Sequence, residues 1–234
     1  NRMKIYQTII LLCFFSMLFY NCSLPADDEE KGELEGGEDT ITPELPWEGE
    51  MDKFTINSKE GIHLNDPQED AGTAYITIPS TSVKNTRWEF GVHLTFNPSA
   101  NNYARFYLAS SSNILSGNLN GYYIQIGGAK DNVTLYRQNG DQSKLLASGR
   151  ELMKGDSSPK LYIKVERDNN GYWTFWTRRE SENEYVKEKQ IKDTDIQTSR
   201  YCGIYCIYTK TRCKGFTFHH IQLSNNVETD TTPD

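Results

Sequence analysis

The chain has 234 residues, a net charge of −7 and 36% hydrophobic residues, which suffices for one sizeable domain with tails or for two small ones. Eleven of its acidic residues lie within residues 23–50, against the single base Lys31, so the rest of the chain is close to neutral. This balance speaks against nucleic acid as a partner, since such proteins carry a basic surface.

The first 22 residues are typical of a targeting segment. A short basic start precedes a 16-residue apolar run from Ile5 to Tyr20, which is short for a membrane-spanning helix of about 20 residues and suits a secretory signal. Cys22 follows, and this order resembles a bacterial lipoprotein signal, in which the acylated cysteine holds the protein to a membrane. The usual motif has a small residue before the cysteine, whereas this chain has Asn21, so an uncleaved anchor and simple secretion stay open as alternatives.

The acidic segment that follows is predicted to be a disordered tether over residues 23–50, because it contains too little apolar surface to offset the entropy of ordering. Acidic residues soon after a lipidated cysteine also resemble the surface-export signal of Bacteroidetes lipoproteins. That resemblance implies a lipid-anchored, surface-exposed protein of the outer membrane. Residues 225–234 are predicted to be a linker to a further domain.

Residues 51–224 have the two-residue period of β-strands. Trp88, Phe90, Val92 and Leu94 alternate with other side chains, about a dozen such runs occur, and turn signals such as 139–141 separate them. With no helix to cover a sheet, the pattern predicts an all-β, two-sheet antiparallel β-sandwich. The position of each residue in the two-residue period of its strand predicts which side chains face the core. These are Trp88, Phe90, Val92, Leu94, Phe106, Leu108, Tyr122, Ile124, Ile126, Val133, Leu135, Leu161, Ile163, Val165, Trp173, Phe175, Cys202, Ile204, Phe216 and Phe218.

The last predicted strand changes phase. Phe216 and Phe218 are out of step with Ile221 and Leu223, which predicts a β-bulge at His219-His220.

Several blocks of the domain resemble a known family. GYYIQIGG (121–128), LYRQNG (135–140) and the closing YCGIYCIY (201–208) look like a module of Bacteroidetes cell-surface proteins that often precedes lamin-tail domains. Its fold resembles the concanavalin A-like lectin/glucanase sandwich, a jelly roll. The chain differs from the family in having histidines late in its last strand, where acids are usual.

Catalytic machinery is not predicted. Glycoside hydrolysis needs two carboxyl groups facing one sugar, and retaining glucanases with this fold carry them as Glu-x-Asp-x-x-Glu on one strand, a string that the chain lacks. The nearest sequence, Glu166-Arg167-Asp168, leads directly into a turn.

The cysteines and histidines do not predict a metal site. Cys202 and Cys206 are four residues apart on one strand, about 13 Å, and adjacent His219 and His220 point to opposite faces unless a bulge reorients them. Cys206 and Cys213 flank a predicted hairpin at 209–212 and are a possible disulfide in an oxidising compartment.

No cofactor is expected, although calcium is a possibility. Asp66, Glu69 and Asp70 lie together on a predicted loop and have the oxygen ligands that calcium prefers. Solvated loop charge is the alternative interpretation.

The predicted outward faces carry a surplus of aromatic residues, and sugars bind by stacking on such rings beside a few polar groups. Ordinary sheet surface is the alternative, because aromatic residues also favour strands. The candidate ligand-binding residues are Tyr107, Tyr123, Gln125, Tyr136, Trp176 and Tyr205.

The sequence therefore predicts a non-catalytic cell-surface recognition or adhesion module with glycan as the leading ligand and a surface protein as the other possible partner. The alternatives are a structural spacer in a longer surface protein, a glucanase-type hydrolase, and protein attachment through the sheet edges.

Overall fold

The computed structural model describes residues 45–225, which form fourteen β-strands and two short 3-10 turns. The strands are β1 Glu48–Gly49, β2 Phe54–Asn57, β3 Gly61–Leu64, β4 Gly72–Pro79, β5 Thr86–Leu94, β6 Tyr103–Ser110, β7 Leu119–Gly127, β8 Val133–Gly140, β9 Gln142–Ser148, β10 Lys160–Arg167, β11 Tyr172–Arg179, β12 Val186–Lys192, β13 Tyr201–Tyr208 and β14 Phe216–Asn225. The 3-10 turns are Met51–Lys53 and Lys210–Arg212.

The strands form two seven-stranded sheets. Sheet A has the order β1-β4-β13-β6-β7-β8-β9, and sheet B has the order β12-β11-β10-β5-β14-β3-β2. Every strand pair is antiparallel. Side chains from both sheets share one buried cluster, so the predicted antiparallel β-sandwich is confirmed.

Alternation along the strands builds the core, because every second side chain of a strand points to the same face. All the side chains predicted to face inward are buried in the shared cluster. Rings from opposite sheets meet there: Phe90 stacks on Phe106 with ring centroids 4.0 Å apart, and Tyr122 lies 4.4 Å from Trp173. Each buried aromatic ring removes a large apolar area from water, which is the main stabilising term of such a core.

Each of the last two strands is an interior strand of its sheet, with a neighbouring strand on both sides. Strand β13 pairs with β4 and β6 in sheet A, and β14 pairs with β5 and β3 in sheet B. Residues 209–215 cross between the sheets, so the hairpin predicted at 209–212 is wrong. The register of β14 against β5 shifts between His219 and Gln222, and His220 has φ +50°, so the predicted bulge is confirmed.

The folded region begins before residue 51. Strand β1 pairs with β4 through Glu48 and Gly49, and Trp47 is buried. The Glu50 carboxylate accepts hydrogen bonds from the Tyr75 backbone N–H (3.0 Å) and from Lys53 (2.8 Å). Glu48 and Glu50, which the sequence places in a solvated tether, thus belong to the edge of the sheet. The expectation of disorder is wrong for residues 45–50.

Cys22, the remainder of the predicted tether and residues 226–234 lie outside the described residues. Across residues 45–225, no helix has the length and apolar character that crossing a membrane requires.

Candidate functional site

The outer face of sheet A gathers most of the predicted ligand-binding residues into two cross-strand rows. One row, here called the arginine row, runs across five strands as Tyr75, Tyr205, Arg105, Gln125 and Thr134. The neighbouring tyrosine row contains Tyr107, Tyr123 and Tyr136 on β6, β7 and β8. Side chains directly opposite one another in an antiparallel pair are about 5 Å apart at Cβ, so each row is a continuous strip.

The tyrosine row is a stack of rings. The ring centroids of Tyr123 and Tyr136 are 5.1 Å apart, and their ring planes differ by 13°. The ring centroids of Tyr123 and Tyr107 are 5.0 Å apart, and their ring planes differ by 43°. Burial raises the pKa of Tyr107 to about 12, so its hydroxyl stays protonated and donates to Gln138 at 2.7 Å. Gln138 in turn donates to the Gly117 carbonyl oxygen at 3.3 Å, which fastens the loop between β6 and β7 to the sheet.

That loop, residues 111–118, covers part of the tyrosine row. Leu115 packs in a second buried cluster with Leu119, Tyr107 and Tyr123. The Leu115 side chain packs against Gly203, which has no side chain to obstruct it. An added Cβ at Gly203 would lie 3.1 Å from a Leu115 methyl group and 2.4 Å from the Ile76 carbonyl oxygen. The glycine therefore permits the close approach of the loop.

The loop changes the role of two predicted site residues. Tyr107 and Tyr123 occupy outward positions of their strands, but they are 0% and 1% exposed. Their expected exposure to a ligand is therefore wrong. Alternation assigns a side chain to a face of the sheet and carries no information about a loop that folds back over it.

The arginine row remains accessible. Tyr75, Tyr205, Arg105 and Gln125 are half-buried. The Arg105 guanidinium lies 4.6 Å from the centre of the Tyr123 ring and 5.8 Å from those of Tyr103 and Tyr205. It thus sits in a nest of aromatic rings whose faces attract cations.

A cavity of about 240 Å³ adjoins the arginine row over β7, β8 and β9. It is smaller than the pockets of about 300–1,000 Å³ that hold drug-sized molecules, and it suits a single sugar ring. Gln125 is shared by the cavity and the arginine row. The cavity is lined by Gln125, Gly127, Ala129, Lys130, Asn132, Thr134, Tyr136, Leu145 and Ser148.

Trp176 is separated from the other candidates. It lies on β11 in sheet B, where it pairs with Lys164 and Lys187 of the neighbouring strands. The Lys164 ammonium group lies 4.5 Å from its ring centre. Five candidates thus share one face, and the assumption that Trp176 joins them in one site is wrong, because alternation does not reveal which sheet a strand enters.

The carboxyl groups considered for catalysis have structural partners. Glu166 accepts a hydrogen bond from Arg87 Nε at 2.7 Å, and Asp168 caps a turn by accepting from the backbone N–H groups of Asn170 and Tyr172. Within the described chain, strands β4, β6, β7, β8, β9 and β13 contain no aspartate or glutamate. The strand positions of this face therefore provide no carboxylate pair for glycoside hydrolysis.

The three described cysteines are free thiols. Cys202, Cys206 and Cys213 are buried and unbridged, so the possible Cys206–Cys213 disulfide is absent from the structure. Cys206 points into the core from β13 and Cys213 follows the crossing to sheet B, whereas the expected pairing assumed a hairpin. Among the described residues, no group of three or more His, Cys, Asp or Glu side chains is arranged to hold a metal ion.

The loop carboxylates considered for calcium accept hydrogen bonds from the protein. Asp66 accepts from the Tyr208 hydroxyl at 2.6 Å, and Glu69 forms an ion pair with Lys214. Calcium binding at these residues stays a prediction.

Two members of the face were missed from the sequence. Tyr75 and Tyr103 lie on it although neither was a candidate. The signal for Tyr75 was present, because Ala74, Ile76 and Ile78 take the inward phase of β4 and leave Tyr75 outward.

Comparison with known proteins shows similarity at the level of the fold. No family model matches the sequence, and no curated protein matches it. Among solved structures, the carbohydrate-binding module CBM66 of Bacillus subtilis superposes with a TM-score of 0.54 at 11% identity, covering 77% of this chain and 96% of that one.

Lectin structures superpose to a similar degree. The VIP36 exoplasmic/lumenal domain bound to Ca²⁺ and Man2 gives a TM-score of 0.57 at 17% identity over 85% of this chain and 87% of that one. A legume lectin-like domain from Entamoeba histolytica gives 0.50 at 9% identity over 77% and 89%. The chain has a lectin-type β-sandwich fold. The expected concanavalin A-like architecture is thereby confirmed.

Proposed function

We propose that the protein is a non-catalytic glycan-binding protein whose site is the arginine row with Tyr136 and the adjoining cavity. The observation that carries the proposal is the combination of accessible tyrosine rings with fixed polar groups on one sheet face, beside a cavity that suits a sugar ring. Sugars are bound by such surfaces because their C–H faces pack on aromatic rings while their hydroxyl groups form hydrogen bonds at the edges.

Gln125 is the polar group best placed to orient a sugar. Its side-chain NH₂ donates to the Gly127 carbonyl oxygen at 3.4 Å. An added Cβ at Gly128 would lie 2.8 Å from the same nitrogen, so Gly128, with φ +104°, leaves room for the amide. Half-buried and opposite Arg105 in the ladder, Gln125 presents a pre-positioned hydrogen-bonding group to the cavity.

The structural neighbours support glycan binding without identifying the glycan. One is a carbohydrate-binding module and another was solved with a mannose disaccharide. Identities of 11% and 17% carry only the fold, so the ligand class must be argued from the side chains of this chain.

Binding without catalysis fits the absence of acidic residues from the described long strands of sheet A. A hydrolase would need two carboxyl groups facing the bound sugar. The lack of a detectable increase in reducing ends after prolonged incubation with each bound glycan would support this assignment, whereas steady release would contradict it.

The same proposal includes a location. We infer that a lipid on Cys22 anchors the protein at the outer membrane and that the acidic segment projects the domain from the surface, as in the Bacteroidetes module that the sequence resembles. Fatty-acid labelling that marks the native chain and a Cys22→Ser variant equally would rule out that anchor.

The binding face is tested with the full chain on a glycan array, followed by calorimetry on the best ligand. Tyr205→Ala and Tyr136→Ala should each weaken binding about tenfold or more, because removing a ring on which a ligand packs typically costs on the order of 1.4 kcal/mol or more. Trp176→Ala on the opposite sheet is the matched control and should leave affinity unchanged.

Two outcomes would contradict the proposal. Loss of binding in Trp176→Ala alone would move the site to sheet B. Failure of the folded native chain to bind any glycan would favour a spacer or a protein-adhesion role.

A further inference from the structure

Within residues 45–225, the Arg105 guanidinium has no acidic partner. Among the described residues, the ion pairs do not include Arg105, and the long strands of its sheet contain no aspartate or glutamate. From this we infer, on the basis of the function proposed above, that the ligand is an acidic glycan and that Arg105 binds its anionic group.

The contacts of Arg105 leave hydrogen-bond donors free. Nη1 donates weakly to the Tyr107 hydroxyl at 3.4 Å, and Nε is buried without a partner. Among the described residues, Nη2 has no hydrogen-bond partner, and it is not one of the fully buried polar atoms that lack one, so solvent can reach it. A guanidinium has five N–H donors in a planar fork that matches a carboxylate, and most of this fork is unused.

The surroundings of Arg105 favour an anion. Aromatic rings attract the guanidinium through their electron-rich faces but contribute no counter-charge. They also exclude water, and the lower effective dielectric strengthens the attraction of an incoming negative charge. Charge-assisted hydrogen bonds are about twice as strong as neutral ones, so a half-buried arginine without a carboxylate is a ready binding point for one.

Neighbouring charges are compatible with this role. Glu50, at the β1–β4 edge of the sheet, is paired with Lys53 at 2.8 Å and is therefore largely neutralised. Lys130 is exposed and lines the cavity, which adds a second positive charge on the side of Gln125. A sugar ring in the cavity can therefore present an anionic substituent to a face that carries both positive charges.

The test uses an array with two sets of matched acidic and neutral glycans, which are oligogalacturonides with their methyl esters and sialyllactose with lactose. It also includes chondroitin oligosaccharides with and without sulfate, both of which keep their glucuronate carboxylates. The native full chain should bind acidic glycans at least about tenfold more tightly than their neutral counterparts, because a charge-assisted hydrogen bond is about twice as strong as a neutral one. The ester and desulfated arms distinguish a carboxylate from a sulfate as the recognised group.

Arg105→Gln should abolish this preference, and Arg105→Lys should retain part of it. The matched control is Arg178→Gln, because Arg178 also lies over a tyrosine, Tyr162 at 4.0 Å, but on sheet B. Thermal unfolding of each variant shows whether the fold is retained, and the Lys variant still tests the charge if the Gln variant does not fold.

The outcomes separate the inference from the proposed function. Equal binding of acidic and neutral glycans, with Arg105→Gln unchanged, overturns the role of Arg105 and leaves glycan binding intact. A complete lack of glycan binding overturns both.

Discussion

Asp193 is a buried acidic residue, and its burial determines how much it contributes to the free energy of unfolding. Its carboxylate accepts a hydrogen bond from the buried Tyr122 hydroxyl at 2.5 Å and pairs with Arg137. Arg137 also pairs with Asp195, so one guanidinium joins a buried and an exposed carboxylate. The side chain of Asp193 is 7% exposed and that of Asp195 is 56% exposed.

Asp193→Ala should lower the free energy of unfolding by at least about 2 kcal/mol, since it removes the acceptor of the buried Tyr122 hydroxyl and the buried one of the two carboxylates that pair with Arg137. Asp195→Ala is the matched control and should cost less than about 1 kcal/mol, because exposed ion pairs are worth little. Urea denaturation of both variants checks the difference. Equal losses would show that burial does not determine the contribution of this pair.

Single residues also mark the limits of sequence prediction. The alternation of small, polar and apolar side chains places Arg105, Tyr136 and Tyr205 on outward positions, which is where they lie. It could not reveal that Leu115 covers Tyr107 and Tyr123, because that contact depends on the path of a loop with no periodic pattern. Gly203, an outward glycine between large residues, was the available sign of a close approach.

At the scale of elements, the bulge in β14 gives the protein a titrating group. His219 lies over Gly91, where an added Cβ would be 2.1 Å from its ring, and Nδ1 of His219 lies 2.6 Å from Nδ1 of His220. Burial, with the neighbouring His220 as a smaller cause, lowers the pKa of His219 to about 4. Glu180 raises this pKa, His93 and Lys160 lower it, and each of these effects is smaller than that of burial.

This pKa predicts a loss of stability in mild acid. Between the ordinary histidine pKa of about 6.5 and the folded value of about 4, the unfolded chain binds more protons than the folded one. The free energy of unfolding should therefore fall as the pH is lowered from about 6.5 towards 4. Urea denaturation at a series of pH values measures this slope.

His219→Gln should make that slope shallower. His63 and His93, whose pKa values are also lowered by burial, should maintain part of it. The native slope persisting unchanged in His219→Gln would contradict the assignment.

Elements differ in how well the sequence predicts them. Strands of the core were found because one face is apolar and the other polar. Strand β9 has no such pattern, because it is an edge strand with little burial on either face: its first four residues are exposed, and the fourth, Leu145, is 50% exposed. The assignment of Trp176 to the face of the tyrosines failed for another reason, since strand phase is local and sheet membership depends on pairing between distant segments.

At the scale of the whole molecule, the fold class was predictable and the pairing order was not. Composition, the two-residue period and the absence of helical patterns suffice for a β-sandwich. The central positions of β13 and β14 depend on contacts between segments more than a hundred residues apart, such as Phe218 with Ile62, which no local pattern encodes.

A chain ending after Tyr208 should therefore fail to fold cooperatively. Removing β14 separates β5 from β3 in sheet B and deletes Phe216 and Phe218 from the core. A chain ending after Asn225 is the control and should unfold with the native midpoint. Near-ultraviolet circular dichroism during urea denaturation measures both, and a sharp native-like transition in the shorter chain would refute the central role of β14.

The position of these last strands has a consequence during biosynthesis. Neither sheet can be completed until residues 201–225 have left the ribosome, so the domain stays open until its own last strand has been synthesised.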